Sequence, residues 1–585
     1  HWRDWSSDVC SSDLFIYRLI KFGGARRVLF LVDRGNLGRQ TKKEFDQYAS
    51  PYNSYKFGEE FIVQHLQGNQ VDTSARVVIC TIQRMFSLLK GKELPPEADE
   101  ESAEGAESLF KDPEPIGYNP AIPIESFDIV VTDEAHKLSQ NADGDATSAL
   151  RTLRAITNHP RGRQDAARMR RRAEWAKAEA MPDGDAKTAA LNRLFDLMRK
   201  EAEAMGDKSR AKALFLSATP FAYVKNTDYA EGYLFDYPAD GHVGRSRQSG
   251  QNLFMVENFG YRIRYHKLTQ PDVGVDTGVF EREFHEKLRR QGVLSGRMLD
   301  IDADYDRRFV LSEDKEGAKI DGVLQFIRDQ ANAKGDDARQ REYRALQQSL
   351  KSTFNHLKQM QLLEAIKAQK AIPDIEAHLK LGRKVVVFHD YNVGGGFNPF
   401  RPTVDGDKGI IPTAEANAGY ARLIRERPEV EDLNFTGYPP PVEVLKKHFG
   451  NRAAIYNGTV PQKVRKADKA RFQKDGSGLD LIIVQSAAGE AGIDLHDTTG
   501  AHQRAMINLG MPSRPTTALQ EEGRTRREGS VTDSPFRYYT IGTAWERRAF
   551  AKKIAERSGT VENLALGDMA RTIKDSFVEA YSEAG

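Results

Sequence analysis

The sequence predicts an α/β protein built on two parallel, doubly wound sheets. Three observations carry that expectation. Short apolar, β-branched runs alternate with stretches of helical period. Each run stops in a cluster of polar or charged residues, as strands do at the ligand-binding edge of an open sheet. The runs form two sets, one before about residue 222 and one after 380, with a charged helical stretch between them.

In the first set, residues 15–20 read as the end of an amphipathic helix. Residues 27–32 (RVLFLV) read as a strand buried on both faces. Asp33, Arg34, Asn36 and Gln40 follow it, placed either to grip a phosphate backbone or to cap the next helix, 37–48. Residues 75–81 (ARVVICT) form a second buried strand, followed by Ile82, Gln83 and Arg84. The third is the pivot of the chain, 127–136 (FDIVVTDEAH), where an apolar run ends abruptly in Asp133 and Glu134. Asp133 can hold Mg²⁺, directly or through water, because that ion takes oxygen ligands together with substrate phosphates. Glu134 can orient or deprotonate the water that attacks a γ-phosphate. A strand ending in a solvated turn is the other reading of these letters alone. A fourth strand starts at 214–216 and runs into Ser217, Ala218, Thr219 and Pro220.

Two insertions interrupt this set. Residues 92–123 are acidic and rich in Pro and Gly, a surface excursion. Residues 153–211 are charged and helical, with an arginine cluster from Arg161 to Arg172 that suits either phosphates or a solvated helix face. Beyond Pro220 the chain is Tyr-rich and irregular to about 272, then helical and charged to 379. The patch 262–267 (RIRYHK) interleaves aromatics with bases, which suits nucleic acid and equally an ordinary surface.

In the second set, strands are expected at 384–388 (KVVVF, followed by His389), 453–456, 481–484 (LIIV) and 505–509. LIIV leads into QSAAGEAGIDL, which contains Gly492 and Asp494. Gln520, Gly523, Arg524 and Arg527 then fit Q-x-x-G-R-x-x-R, and arginines three apart on a helix point the same way. Residues 543–557 read as a helix with a polar, helical tail behind it.

Composition bounds the remaining choices. The chain has 585 residues, enough for about four domain-sized units. Net charge is +2, so nucleic acid would be met by local patches rather than a bulk basic field. Two cysteines, Cys10 and Cys80, supply neither a disulfide framework nor a four-cysteine zinc site, which favours a reducing, cytoplasmic compartment. No apolar run reaches the roughly 18 residues of a membrane helix. The first residues, HWRDWSSDVCSSDL, begin at His1 and show neither regular period nor signal-peptide pattern; they resemble translated sequencing-adapter read-through.

Taken together, LVDRGNLGRQ, the TIQR of 81–84, DEAH, and Ser217-Ala218-Thr219 resemble motifs Ia, Ib/Ic, II and III of superfamily 2 helicases. Residues 28–136 (VLFLVDRGNLGRQTKKEF, SPYNSYKFGEEFIVQHL, DTSARVVICTIQRMFSLLKG, YNPAIPIESFDIVVTDE) strongly resemble the motor subunit of type I restriction enzymes. From the DEAH box onward the chain looks more like the strawberry-notch-like helicases carried by phages. The resemblance implies two RecA-like lobes with a helical insertion, ATP and Mg²⁺ as cofactors, and DNA as partner. A restriction motor would also meet specificity and methylation subunits, and the host would be a prokaryote or its phage.

The implied limits are an artefact at 1–13, lobe 1 at 14–222, a helical insertion at 223–380, lobe 2 at 381–545 and a helical tail at 546–585. By the motif match Asp133, Glu134, Arg524 and Arg527 would be catalytic, the two arginines reaching the γ-phosphate as in-chain fingers. His136, Gly492, Asp494 and Gln520 would serve nucleotide binding and its coupling, and Ser217 and Thr219 would link the sites. Arg34, Gln40, Thr81, Gln83 and His389 would face nucleic acid. One element of the pattern is missing. No G-x-x-x-x-G-K-[ST] phosphate loop occurs, and the adapter-like residues stand where the family carries it. The expectation is a truncated chain that binds ATP poorly.

Overall fold

The computed structural model describes residues 7–91, 94, 99, 126–138, 146–204, 206, 211–217, 220–221, 223–272, 274–295, 306–312, 316–392, 394–404, 411–486, 493–510, 515–526, 529–550, 560, 563–564, 578 and 581; side chains at 7–13, 136–137, 169, 515–516 and 549 lie outside that description. The chain divides into two compact units, His1–Leu299 with Thr560–Ala570, and Asp300–Gly559 with Arg571–Gly585. The long middle stretch is therefore shared, its first part belonging to one unit and its second to the other.

The first unit is organised on β1 (Val28–Val32), β2 (Val63–His65), β3 (Val77–Thr81), β4 (Ile129–Thr132) and β5 (Lys212–Phe215). Their order is β2-β3-β1-β4-β5, and every pair is parallel. Side chains alternate across the pleat. Val28, Phe30, Val32, Val77, Ile79 and Val131 join Tyr17, Phe45 and Phe57 on one face. Leu29, Leu31, Val78, Cys80 and Val130 join the helical core on the other. Both faces are covered, which is why these strands read as unbroken apolar runs. β2 was not anticipated: three half-buried residues at the sheet edge carry too short a pattern. Helix Gly35–Gln47 crosses close above it. A Cβ on Gly38 would come within 2.6 Å of the His65 Nε2, so a larger residue there would push the His65 ring aside.

Between β4 and β5 the charged stretch forms the helices Ser148–Ile156, Pro160–Arg170, Arg172–Glu179 and Asp185–Ala204. Of the acidic excursion at 92–123, only 94 and 99 lie within the described residues. After β5 the Tyr-rich part is less irregular than expected. It contains hairpins β6 (Gly241–Val243) with β7 (Ser246–Gln248) and β8 (Arg262–Arg264) with β9 (Lys267–Thr269), and helices Gly250–Phe259 and Thr277–Arg290. Phe221, Tyr229, Phe254 and Phe284 pack there into the first unit's core.

The second unit carries β10 (Arg307–Leu311), β11 (Lys384–His389), β12 (Ala453–Tyr456), β13 (Leu481–Gln485), β14 (Arg504–Asn508) and β15 (Phe536–Thr540). The order is β10-β15-β14-β11-β13-β12, again parallel throughout. Helices Glu316–Asn332, Ala338–Thr353, His356–Lys370 and Ala414–Glu426 build an adjoining core around Ile320, Tyr343, Leu346, Leu362 and Leu423. The expected fold class stands: tandem RecA-like lobes, each a parallel sheet flanked by helices, with helical insertions. Among the described residues no helix is long and apolar enough to cross a membrane.

The stretch expected to be helical up to 379 in fact contributes an edge strand, β10, and β15 (FRYYT) is a further strand that was not foreseen. β10 escapes a hydrophobic reading because it begins with two arginines. Arg307 is buried only because Glu522, 215 residues away, pairs with it: Nε to Oε1 is 2.7 Å and Nη2 to Oε2 is 2.6 Å. Tyr538 on β15 donates to the same carboxylate at 2.9 Å. Both charged side chains are only 3% exposed. Removing one member strands the other charge away from water, a loss of about 3–5 kcal/mol. Arg307→Ala is expected to lower the unfolding transition of the second unit by that order in calorimetry or denaturant titration. The double change Arg307→Met with Glu522→Leu should recover most of the loss.

Candidate functional site

Parallel pairing brings all five strand ends of the first unit to one edge. The strand order reverses beside β1, with β3 on one flank and β4 on the other, and such a reversal opens a crevice at the carboxyl ends. Asp133 lies there. Its amide donates to the Leu31 carbonyl of β1 at 3.0 Å, while the Ala135 amide donates to the Leu216 carbonyl beyond β5 at 3.1 Å. The acidic turn is thus fastened to both neighbouring strands. The Asp133 Oδ1 accepts the Glu134 amide at 3.0 Å, which orients the carboxylate. Glu134 has φ of 52°, the left-handed region, at a cost of about 1–2 kcal/mol for an L-residue. Strain of that kind persists where the surroundings impose it, often at functional sites. Both acids are half-buried. Residues 135–138 continue as a short 3-10 turn. The His136 side chain lies outside the described residues, as does Thr219; Ser217 is half-buried directly after Leu216.

The other predicted residues of this edge are mostly below the surface. Asp33 and Arg34 are 1% and 7% exposed, with Arg34 Nε 3.3 Å from the Asp33 Oδ2. Arg34 also stands at the N-cap of helix Gly35–Gln47, while Gln40 is half-buried within it. Thr81 caps helix Ile82–Leu89 by accepting the Arg84 amide. Its hydroxyl donates to Asp99, which also takes the Arg84 Nε at 2.7 Å. Gln83 donates from Nε2 to the Asp33 carbonyl at 3.0 Å, tying the ends of β1 and β3 together. Within the arginine cluster, Arg161 pairs with Glu231 at 2.8 Å and lies over Tyr237, and Arg171 pairs with Glu174 and Glu201. Arg168, Arg170 and Arg172 are exposed.

In the second unit, helix Pro515–Thr525 buries Ala518, Glu521, Glu522 and Thr525, a single stripe at helical spacing. Glu522 holds Arg307, and Glu521 accepts from Asn508 at the end of β14. Gln520 and Arg524, four residues apart, consequently share the opposite, half-buried face. Arg527 lies outside the described residues, as does Gly492. The Arg524 carbonyl accepts the Leu495 amide at 2.9 Å, which joins this helix to the loop carrying Asp494. Asp494 accepts from Gln473 through its carbonyl at 2.9 Å and lies 3.7 Å from Lys469. Arg504, 1% exposed, braces the same loop by donating to the Leu495 carbonyl and to Gln473. Sequence reading missed Arg307 because its partner is 215 residues away, and Asn508 and Arg504 because their bonds form only once the helix and loop beside β14 have packed. The charged start of β10 was the only local sign.

His389 ends β11 and is fully buried, with Nδ1 3.2 Å from the Tyr391 carbonyl. Burial pushes its imidazole down to about 4, so it is neutral at pH 7. Nearby, the buried Glu364 accepts the amides of Asp390 and Tyr391. Its own burial, with Asp390 beside it, pushes that carboxyl upward.

The acidic turn offers two half-buried carboxylates at the crevice. Among the described residues no three His, Cys, Asp or Glu side chains converge on one point. Mg²⁺ ordinarily needs only one or two carboxylates when phosphates complete its shell. The phosphate loop has no counterpart in the sequence.

Residues 14–161 match the family model described as "Type III restriction enzyme, res subunit", and residues 429–529 match "Helicase conserved C-terminal domain". The curated proteins contain no match. Among solved structures, the chain is similar to the helicase Lhr of Mycobacterium smegmatis bound to ssDNA and AMP-PNP. Identity is 13% over 93% of this chain and 42% of that one, with a TM-score of 0.31. It is also similar to a variant of S. cerevisiae Dbp5 bound to RNA and ADP BeF3 (11%, 100% and 87%, 0.35). A third similar structure is the DUF1998 helicase MrfA bound to DNA (10%, 95% and 44%, 0.33). This chain thus spans less than half the length of Lhr and of MrfA. The two family matches, in this order, give it a superfamily 2 helicase domain architecture related to the restriction-enzyme res family.

The buried imidazole of His389 makes a pH prediction. Its pKa lies lower in the folded protein than the usual 6.5, so the unfolded chain takes up the proton first as pH falls. Stability is therefore lost as pH drops from about 6.5 toward about 4, and Glu364, shifted upward, acts in the opposite sense. His389→Asn should flatten the acid limb of the melting-temperature profile relative to wild type. An unchanged limb would mean that His389 is not the group responsible.

Proposed function

We propose that this chain is the motor portion of an ATP-dependent nucleic-acid translocase or helicase of the restriction R-subunit type. The observation that carries the reading is the Asp133–Glu134 turn, tied to β1 and β5 at the point where the strand order reverses. The two family matches and the face shared by Gln520 and Arg524 support it.

In this reading Asp133 holds the magnesium of the nucleotide, directly or through water, and Glu134 positions the attacking water and takes its proton. Arg524 and Arg527 offset the charge that develops on the γ-phosphate. Gln520 and His136 contact the nucleotide. Gly492 and Asp494, together with Ser217 and Thr219, pass its state to the nucleic-acid sites. Gln40 meets the phosphate backbone of DNA, and Arg34, buried against Asp33, fixes the turn beside it. The buried Thr81, Gln83 and His389 serve by fixing the strand ends beneath it. Hydrolysis alternates the grip of the units on the strand. Specificity and methylation subunits are the partners this reading brings with it, in the cytoplasm of a prokaryote.

A second reading rests on one sequence observation, the lack of a G-x-x-x-x-G-K-[ST] stretch. Without it phosphates are held weakly, and the chain acts as a DNA-binding unit with impaired hydrolysis. A phage strawberry-notch-like helicase would share the chemistry of the first reading and differ in its partners.

The test is ATP hydrolysis by this chain with and without single-stranded DNA. Glu134→Gln is expected to cut DNA-stimulated turnover by roughly 10²–10⁴-fold while ATP binding persists. Arg524→Ala is expected to cut it by about 10³-fold or more. Wild-type turnover in the Glu134→Gln protein sinks the motor reading. DNA binding without hydrolysis by the wild-type chain favours the second.

A further inference from the structure

The two small hairpins of the first unit form a basic platform with one aromatic side chain at its tip. Register places Arg264 opposite Lys267, Ile263 opposite Leu268 and Arg262 opposite Thr269. Alternation sends Ile263 and Leu268 to one face, where Leu268 packs on the core, and Arg262 and Arg264 to the other. The tip is the two-residue turn Tyr265-His266, with φ of 50° and 63°. Two positive φ values define the tight turn that favours Asn-Gly, and neither residue here relaxes it.

His266 has a structural reason for its place. Its Nδ1 lies 3.0 Å from the Ser246 Oγ, which binds the β8–β9 hairpin to β6–β7. Tyr265 has no such reason. It is 95% exposed, far beyond the other exposed aromatics among the described residues, of which the next, Phe22 and Phe195, are each 64% exposed. An aromatic ring in a strained backbone position, contributing nothing to the core, points to a ligand that stacks.

The charge around it fits a polyanion. Residues 240–248 and 262–272 carry Arg245, Arg247, Arg262, Arg264 and Lys267 against Asp240 and Asp272, an excess of three in a chain whose total is +2. Asp272 holds both Arg262 and Arg264, the latter at 2.7 Å, and so aligns the pair along one face. Arg245 and Arg247 stand exposed on the neighbouring hairpin.

We infer that Tyr265, with the cations of both hairpins, is a binding site for single-stranded nucleic acid, the ring stacking on an unpaired base while the cations follow the phosphates. This deepens the function proposed above and rests on it. A paired base offers no free face, so duplex should bind less well than a single strand.

The experiment is fluorescence anisotropy of the full chain with labelled oligo(dT) and oligo(U) of about 20 nucleotides, longer than the roughly 4–16 that comparable sites occupy. Tyr265→Ala is expected to weaken binding about 5- to 100-fold. Tyr265→Phe and Tyr265→Trp should remain near wild type, and the two oligonucleotides separate a DNA preference from an RNA one. Folding is controlled by Tyr265→Gly, which suits the turn and should melt at or above the wild-type temperature yet bind as weakly as the alanine variant. If wild type and Tyr265→Ala bind equally, the inference falls, the tip is left to a protein partner, and the proposed function stands. If the wild type binds no nucleic acid, both fall.

Discussion

A parallel sheet delivers every strand end to the same edge, and the rest of this molecule is arranged around that constraint. In the first unit the edge collects Asp33, Thr81, Asp133 and Ser217 from four separate strands. No other pleated arrangement would gather them, since antiparallel neighbours end on opposite edges. The strands can be parallel only because helices cover both faces and supply the crossovers. The two cores are thus a precondition of the edge, and Val28–Val32 sends side chains into both of them.

The second unit meets the same constraint with a different device. Gln520 and Arg524 of its arginine motif sit on a helix, not on a strand end. The helix is oriented by two buried acids, Glu521 and Glu522, that grip the sheet through Asn508 and Arg307. A helix held only by apolar packing can rotate by small amounts. One clamped by a bidentate ion pair has a defined azimuth. Gln520 and Arg524 inherit their direction from that clamp. Burying a charged pair contributes little net stability; here its effect is geometric, deciding which face of Pro515–Thr525 carries Gln520 and Arg524.

Several buried polar groups repeat that theme of support from beneath. Gln83 ties the end of β3 to that of β1, Arg504 braces the loop of Asp494, and His266 fastens one hairpin to the other. None of them has to touch a ligand to matter, because side chains at a site are only as well placed as the backbone that carries them. The contrast with Tyr265 is instructive: it has exposure and strain without such a supporting bond, which is why it reads as a ligand contact and His266 does not.

Local sequence by itself determined where most of the strands are and where each ends. Apolar β-branched runs followed by acids or small polar residues are a signal contained within ten residues, and Val28–Val32, Val77–Thr81, Ile129–Thr132 and Leu481–Gln485 were all legible that way. The order of motifs along the chain was legible too, and with it the two-lobed class. Tertiary structure decided what local pattern cannot encode. β10 and β15 lie beside each other at one end of a sheet although 224 residues separate their last and first members, Leu311 and Phe536. Arg307 is a core residue because of Glu522, and Thr81 and Gln83 turn out to be supports rather than surface. In each case the deciding partner is remote in sequence. A charge is tolerated inside a protein only where another part of the fold brings its counter-charge, and that meeting exists only once the chain has folded.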